Sequence, residues 1–248
     1  MEIITSVKNT AVIDAINLKK EKNEYLFLEG EKQLYEAVIN NSQIEKVFVL
    51  NDKYENFADK FSKLIEKTIV VSLNVIEKLS STKTPQGIIA IVKFPSLKVR
   101  KPKGNYLVLD NIQDPGNMGT IIRSAVGADF LDIYSINSVD FRNDKVVRST
   151  MGNIFKVNIF QLSCEEFINN FNNWKLPLYS ADFGGENIFE FKPEQQYGIV
   201  IGNEGNGVSD EISSICTKKV TIPMKNNLES LNAGVSSAII MYVMSNNK

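Results

Sequence analysis

The sequence predicts a two-domain α/β protein whose larger, C-terminal domain has a mainly parallel sheet. Three observations lead to this prediction. Short apolar or β-branched runs alternate with segments of helical period along the 248 residues. A basic stretch that contains two prolines, KFPSLKVRKPK, interrupts the alternation at residues 93–103. Beyond it, three loops rich in Gly, Asn, Pro or Ser each follow a strand-like run.

The first domain, residues 1–94, is predicted to be a small α/β domain. Helical periodicity covers residues 9–19, 31–40 and 54–65, and strand-like runs cover 25–28, 46–50, 68–71 and 88–92. Pro95 and Pro102 predict an interdomain linker at residues 95–103. The stretch 93–103 has five basic residues and no acidic one. This charge fits a solvated linker and a phosphate-contacting strip equally well.

The second domain, residues 104–248, resumes the alternation of strands and helices. Strands are predicted at 106–109, 131–136, 156–160, 178–181, 197–201 and 219–222. Helices are predicted at about 116–128, 144–151 and 230–244, the last with Ser230 as a plausible N-cap. Ligands of such sheets bind beyond the carboxyl ends of the strands. Because all three special loops follow strands, we expect them to form one site.

Composition excludes several classes of protein. The chain has 28 Lys and Arg against 29 Asp and Glu, which argues weakly against nucleic-acid binding. It has no histidine, and its two cysteines, Cys164 and Cys216, lack metal-binding spacing. No apolar run approaches the ~20 residues of a membrane span, and the N-terminus lacks the pattern of a secretory signal. We expect a cytoplasmic protein without metal or membrane segment.

Taken singly, each loop also has a structural interpretation. In NIQDPGNMGTIIR, residues 111–123, Asp114 or Asn117 could be a helix cap and Arg123 a surface charge. IGNEGNGVS, residues 201–209, matches neither the dinucleotide-binding nor the P-loop order of glycines. IPMKNNLESLNAGV, residues 222–235, contains the start of the last helix, whose exposed N–H groups suit an anionic or carbonyl group.

Together the three loops resemble the motifs of the SpoU (TrmH-like) family of RNA ribose 2′-O-methyltransferases, in the SPOUT superfamily. The first motif is matched by Asn111, Asp114, Pro115, Asn117, Gly119, Ile121 and Arg123. The second is matched by Gly202, Glu204, Gly207, Val208 and Ser209, and the third by Ile222, Pro223, Met224, Ser230, Leu231 and Asn232. After Asn232 the family usually has Val, whereas this chain has Ala233-Gly234. Two N-terminal segments, FLEG at 27–30 and TPQG at 84–87, resemble the L30e-like substrate-binding domain.

The resemblance implies a C-terminal domain tied in a deep trefoil knot and a homodimer with each site near the subunit interface. It also implies S-adenosylmethionine as cofactor, and cofactor-binding residues Gly202, Asn203, Gly207, Ile222, Met224 and Leu231. The implied catalytic residues are Arg123, Glu204, Asn117, Ser230 and Asn232. Arginine stays protonated, so we expect Arg123 to stabilise the developing alkoxide rather than to act as a base. The group that takes the proton is left open.

The N-terminal domain is then expected to read RNA, with a dimerisation or stability module as the alternative. Candidate RNA contacts are Lys8, Lys19, Lys20, Lys98, Arg100 and Lys101. By family analogy we favour 23S ribosomal RNA over tRNA as the substrate. The other alternative is a noncatalytic RNA-binding or ribosome-assembly factor with the same fold, but the intact motif residues count against it.

Overall fold

The computed structural model describes residues 2–21, 24–226 and 230–247. The chain divides into two compact units, Met1–Pro95 and Ser96–Lys248. Both have strands covered by helices.

The first unit contains a four-stranded mixed sheet in the order β1-β4-β2-β3. Its strands are β1 (Tyr25–Glu29), β2 (Gln43–Leu50), β3 (Thr68–Val71) and β4 (Ile88–Lys93). Its helices are α1 (Thr10–Glu21), α2 (Glu31–Ile39), α3 (Tyr54–Lys60) and α4 (Leu73–Leu79). The predicted helix at 54–65 is shorter, because Phe61 leaves the helical conformation and a 3₁₀ segment, Ser62–Lys67, follows it.

The second unit contains a six-stranded sheet in the order β10-β8-β9-β5-β6-β7, and all its strand pairs are parallel. Its strands are β5 (Tyr106–Asp110), β6 (Asp132–Ile136), β7 (Asn158–Leu162), β8 (Leu178–Asn187), β9 (Gly198–Ile201) and β10 (Lys218–Thr221). Its helices are α5 (Pro115–Gly127), α6 (Asp144–Ser149), α7 (Cys164–Phe171), α8 (Asp210–Ser214) and α9 (Ala233–Asn246). The mainly parallel α/β fold is confirmed.

Burial explains why β5 and β9 read as nearly continuous apolar runs rather than alternating ones. Every residue of β5, β6 and β9 is buried, as expected for a parallel sheet covered on both faces. An aromatic cluster fills one face, with the rings of Tyr106 and Tyr134 edge to face at 5.9 Å. The ring of Trp174 contacts both.

Residues 96–103, most of the predicted linker, pack within the second unit. Arg100 donates two hydrogen bonds to the carboxylate of Asp132, at 2.6 and 3.0 Å, and Lys101 donates to the carbonyl of Trp174 at 2.8 Å. Burial would raise the pKa of Asp132, but the hydrogen bonds from Arg100, Lys103 and Asn158 outweigh it and hold that pKa below its usual value. The basic residues of this segment therefore include structural ones.

Candidate functional site

The carboxyl ends of β5, β8, β9 and β10 meet at one edge of the parallel sheet. The chain runs from β5 outward to β6 and β7, and then returns to build β8 and β9 on the other side of β5. The strand order therefore reverses between β5 and β9, which is where open α/β sheets form ligand sites. The first predicted loop follows β5, the second follows β9 and the third follows β10.

The loop after β9 folds back on itself so tightly that only glycine fits at its start. Asn203 and Gly207 exchange two backbone hydrogen bonds of 2.9 Å, and the side-chain oxygen of Asn203 accepts from the N–H groups of Gly205 and Asn206. A Cβ atom at Gly202 would lie 2.3 Å from the carbonyl of Gly207. The absence of that atom lets two backbone segments cross beside the cavity described below.

Two hydrogen bonds fix this loop to the end of β5. The Asn203 side chain donates to the carbonyl of Asn111 at 3.0 Å. The backbone N–H of Ser209 donates to the carboxylate of Asp110 at 2.7 Å, and Asp110 is only 2% exposed. The first two motifs are thus joined through buried or half-buried polar contacts, which rigidify a site.

Helix α5 begins as one of the sequence interpretations predicts. Asp114 is its N-cap and Pro115 occupies its first turn. The Asp114 carboxylate accepts a hydrogen bond from the Asn117 N–H at 2.8 Å, and that bond is the main reason why the pKa of Asp114 lies below its usual value. This cap fixes the first turn of the helix, from which the Asn117 side chain projects.

A chain of side-chain hydrogen bonds joins all three motifs. Asn117 donates to Glu204 at 2.5 Å, and Asn232 donates to the oxygen of Asn117 at 2.9 Å. The oxygen of Asn232 in turn accepts from the N–H groups of Gly234 and Val235, so Asn232 is the N-cap of α9. The predicted cap, Ser230, was wrong: the helix begins three residues later, because Asn232 reaches the free N–H groups.

A cavity of about 350 Å³ lies beside this chain, within the size range of small-molecule sites. Its lining includes all six predicted cofactor residues and two of the predicted catalytic ones: Gly202, Asn203, Gly207, Ile222, Met224, Leu231, Glu204 and Ser230. Residues 227–229 of the third loop lie outside the described residues. The sequence interpretation missed a further wall formed by Ala181, Asp182 and Phe183 at β8, where the Asp182 carboxylate pairs with Lys219 at 2.6 Å.

Arg123 stands apart from the cavity. It is exposed on α5, two turns beyond the N-cap of that helix, and the cavity lining contains no arginine within the described residues. Asn117 and Asn232 also lie outside the lining and reach it through Glu204. The structure thus brings four of the five predicted catalytic residues together and leaves Arg123 at a neighbouring surface.

The candidate RNA contacts fall into two groups. Lys8, Lys20 and Lys98 are exposed. The other three make hydrogen bonds within their own units: Lys19 with the carbonyl of Leu79, Arg100 with Asp132, and Lys101 with Trp174.

Neither cysteine is part of the cavity lining, and burial raises the pKa of both thiols, that of Cys216 to about 12. A thiolate nucleophile is therefore disfavoured. In the ranges that the structure describes, no cluster of Cys, Asp and Glu side chains is arranged to hold a metal ion. Over the same residues, no helix is both long and apolar enough to span a bilayer.

The sequence matches known protein families over both units of the chain. The profile of the SpoU rRNA Methylase family matches residues 104–242, and a profile described as RNA 2′-O ribose methyltransferase substrate binding matches residues 27–97. The chain is 27% identical to the 23S rRNA (guanosine(2553)-2′-O)-methyltransferase RlmP of Bacillus subtilis over 249 residues, which covers 98% of both chains.

Two solved structures share the fold. An AdoMet-bound rRNA methyltransferase from Sinorhizobium meliloti has a TM-score of 0.84 at 22% identity, covering 98% of this chain and 97% of that one. An RNA 2′-O ribose methyltransferase has a TM-score of 0.81 at 24% identity, covering 99% of both chains. The family profile spans more than half of the chain and includes the three loops that the Glu204–Asn117–Asn232 hydrogen bonds join. The chain therefore belongs to the SpoU rRNA methylase family.

Proposed function

We propose that the protein transfers the methyl group of S-adenosylmethionine to a ribose 2′-hydroxyl of 23S ribosomal RNA. The observation that supports this most is the hydrogen-bonded chain Glu204–Asn117–Asn232, because it holds the three family motifs together at the mouth of the cavity. The named activity of the Bacillus subtilis relative supports the choice of 23S RNA.

The cavity residues fit the cofactor. Gly202 lines the cavity, and the absence of its side chain lets the Gly207 backbone cross beside it, while Ile201, Val220 and Ile240 offer apolar surface for an adenine ring. The lining also contains Glu204, whose carboxylate suits a ligand that carries a positive sulfonium and an ammonium group, and Asp182, whose carboxylate already pairs with Lys219. When bound, the cofactor supplies an electrophilic methyl group, and a transfer from sulfonium needs no metal.

The ribose hydroxyl is a weak nucleophile, so the protein must stabilise the charge that develops on its oxygen. Arg123, a permanent cation, supplies the positive charge that stabilises this developing negative charge, and it also binds an adjacent phosphate. Asn117 and Glu204, oriented by Asn232, position the ribose. Ser230 contributes its hydroxyl from the cavity wall.

Arg123 requires a second subunit to complete the site. Tyr242 of α9 lies against Gly127 of α5, since a Cβ atom at Gly127 would be 2.1 Å from the Tyr242 hydroxyl. Tyr242 and Val235, two turns apart on α9, are each 48% exposed. We propose that this apolar face of α9, together with α5, forms a homodimer interface and brings Arg123 towards the partner's cavity. The trefoil knot and the cytoplasmic location remain predictions.

The N-terminal unit is proposed to hold the RNA, consistent with the substrate-binding profile over residues 27–97. The proposed RNA contacts are Lys8, Lys19 and Lys20 in the first unit and Lys98, Arg100 and Lys101 in the second. Lys19, Arg100 and Lys101 also have structural partners.

The test uses purified protein, S-adenosylmethionine labelled in the methyl group, and unmodified transcripts of 23S RNA and of tRNA. The expected result is label in 23S RNA at a position that resists alkaline cleavage, because a methylated 2′-oxygen cannot attack the neighbouring phosphate. Label in tRNA alone would show that the substrate is tRNA rather than 23S RNA. Label at alkali-sensitive positions would contradict ribose methylation, and cofactor binding without transfer to any RNA would favour the noncatalytic assembly factor.

A further inference from the structure

Lys145 is a cation whose position is set by close packing of two helices at the site. It lies in the first turn of α6, and α6 packs against the first half of α5. The contact is tight at Gly119, where a Cβ atom would come within 2.3 Å of the Ser149 Cβ and 2.8 Å of the Val146 carbonyl oxygen. Such a contact leaves the two helices little freedom to move relative to each other.

Three contacts connect Lys145 to the catalytic chain. Its ammonium lies 3.6 Å from one carboxylate oxygen of Asp114, whose other oxygen accepts from the Asn117 N–H at 2.8 Å. Asn117 then donates to Glu204 at 2.5 Å. Lys145 is not among the residues that line the cavity. It lies at the opposite end of these three contacts from Glu204, and we refer to this position as the rim of the site.

Lys145 contributes little to the stability of the fold. The side chains of Lys145 and Asp114 are 58% and 49% exposed, and exposed ion pairs of this kind contribute about 0–1 kcal/mol. The first turn of a helix also favours negative rather than positive charge. A solvated ammonium in a weak ion pair can exchange its carboxylate partner for a stronger phosphate ligand.

The proposed substrate brings such a phosphate to this rim. In RNA the 3′-phosphodiester is attached to C3′, the neighbour of the carbon that bears the 2′-hydroxyl, so a ribose held at Asn117 and Glu204 places that phosphodiester close by. The Glu204 carboxylate repels this negative charge, and a cation on the rim offsets the repulsion. Resting on the proposed function, we infer that Lys145 binds the phosphodiester next to the target ribose.

The test compares Lys145→Gln with Lys145→Arg and a matched control, Lys218→Gln. Lys218 also pairs with an exposed acid, Glu186 at 2.9 Å, and is 52% exposed, but it lies on the edge strand β10. Binding of an unmodified 23S RNA transcript is measured from low to high salt, together with methyl transfer and S-adenosylmethionine affinity.

We expect Lys145→Gln to weaken RNA binding roughly three- to tenfold at 0.1 M salt and to reduce the salt slope by about 1, as for one lost phosphate contact. Cofactor affinity should stay unchanged, and Lys145→Arg and Lys218→Gln should behave like the wild type. If the wild-type protein methylates the transcript and Lys145→Gln has unchanged RNA affinity and salt slope, the inference is overturned but the proposed function stands. A wild-type protein that neither binds nor methylates the transcript would overturn both.

Discussion

Replacing Gly202 with alanine should force apart the two backbone segments, at Gly202 and at Gly207, that cross beside the cavity. The added Cβ atom would lie 2.3 Å from the Gly207 carbonyl carbon and oxygen and 2.4 Å from the Val208 nitrogen. Observed Cβ atoms essentially never approach closer than 3.0 Å, so the two segments must separate by at least 0.7 Å. The obstructing atoms belong to the backbone and cannot rotate away.

Overpacking of this kind typically costs about 1–3 kcal/mol. If the strain is relieved by moving the loop, the same free energy is lost from cofactor binding, which corresponds to a roughly 5- to 150-fold weaker affinity. Calorimetric titration with S-adenosylmethionine measures that loss, and denaturant unfolding measures any strain that stays in the free protein.

Gly205→Ala is the matched control in the same loop. The nearest atom to an added Cβ there is the Asn203 side-chain oxygen at 3.5 Å, an ordinary contact, so this variant should bind cofactor normally. The assigned role of the loop would be refuted if Gly202→Ala bound and unfolded like the wild type, or if both alanine variants were impaired equally.

Three further substitutions test the remaining parts of the site. Asn117→Asp replaces the donor to Glu204 with a second carboxylate, so methyl transfer should fall at least ~100-fold, the usual scale for a lost catalytic hydrogen bond; near-normal turnover would remove Asn117 from the site. Arg123→Ala should abolish methyl transfer but leave the dissociation constant of S-adenosylmethionine unchanged, because Arg123 does not line the cavity; normal turnover would refute its role. Asp114→Ala should lower the unfolding free energy by about 1 kcal/mol at pH 7 through loss of the cap. Because the pKa of Asp114 is lowered by folding, its contribution is fully present above the unfolded pKa of about 3.9, and the difference in urea unfolding should shrink as pH falls through the lower, folded value. A difference that grew towards low pH would contradict this account.

The sequence was sufficient to predict the strands of the second unit's sheet, but not to predict where each strand ends. Fully buried parallel strands such as β5 read as unbroken apolar runs, so they are visible locally. Strand β8 was predicted to stop at residue 181. It continues to Asn187, since a glycine at 185 lets the backbone of Lys219 on β10 approach. That approach depends on strand order, which local sequence does not encode.

The same reason explains which site residues were found. The three glycine- and asparagine-rich loops carry their own turn chemistry, whereas Asp182 and Phe183 reach the cavity only because β8 lies between β9 and β10. Helix α7 was missed although its signal is local: Ser163 and Glu166 form a capping box. At α9 the sequence prediction named Ser230 as the cap, and the hydrogen bonds that Asn232 accepts from the Gly234 and Val235 N–H groups identify Asn232 instead.

The contacts of Arg100 determine where a separate catalytic fragment can begin. A fragment that starts at residue 104, where the family profile starts, would discard Arg100 and the Lys103 N–H, which together make three hydrogen bonds to Asp132. In the intact chain Asp132 is only 4% exposed, and removing one partner of such a buried ion pair typically costs roughly 3–5 kcal/mol. An autonomous methyltransferase unit must therefore retain its upstream arm from Ser96 onward.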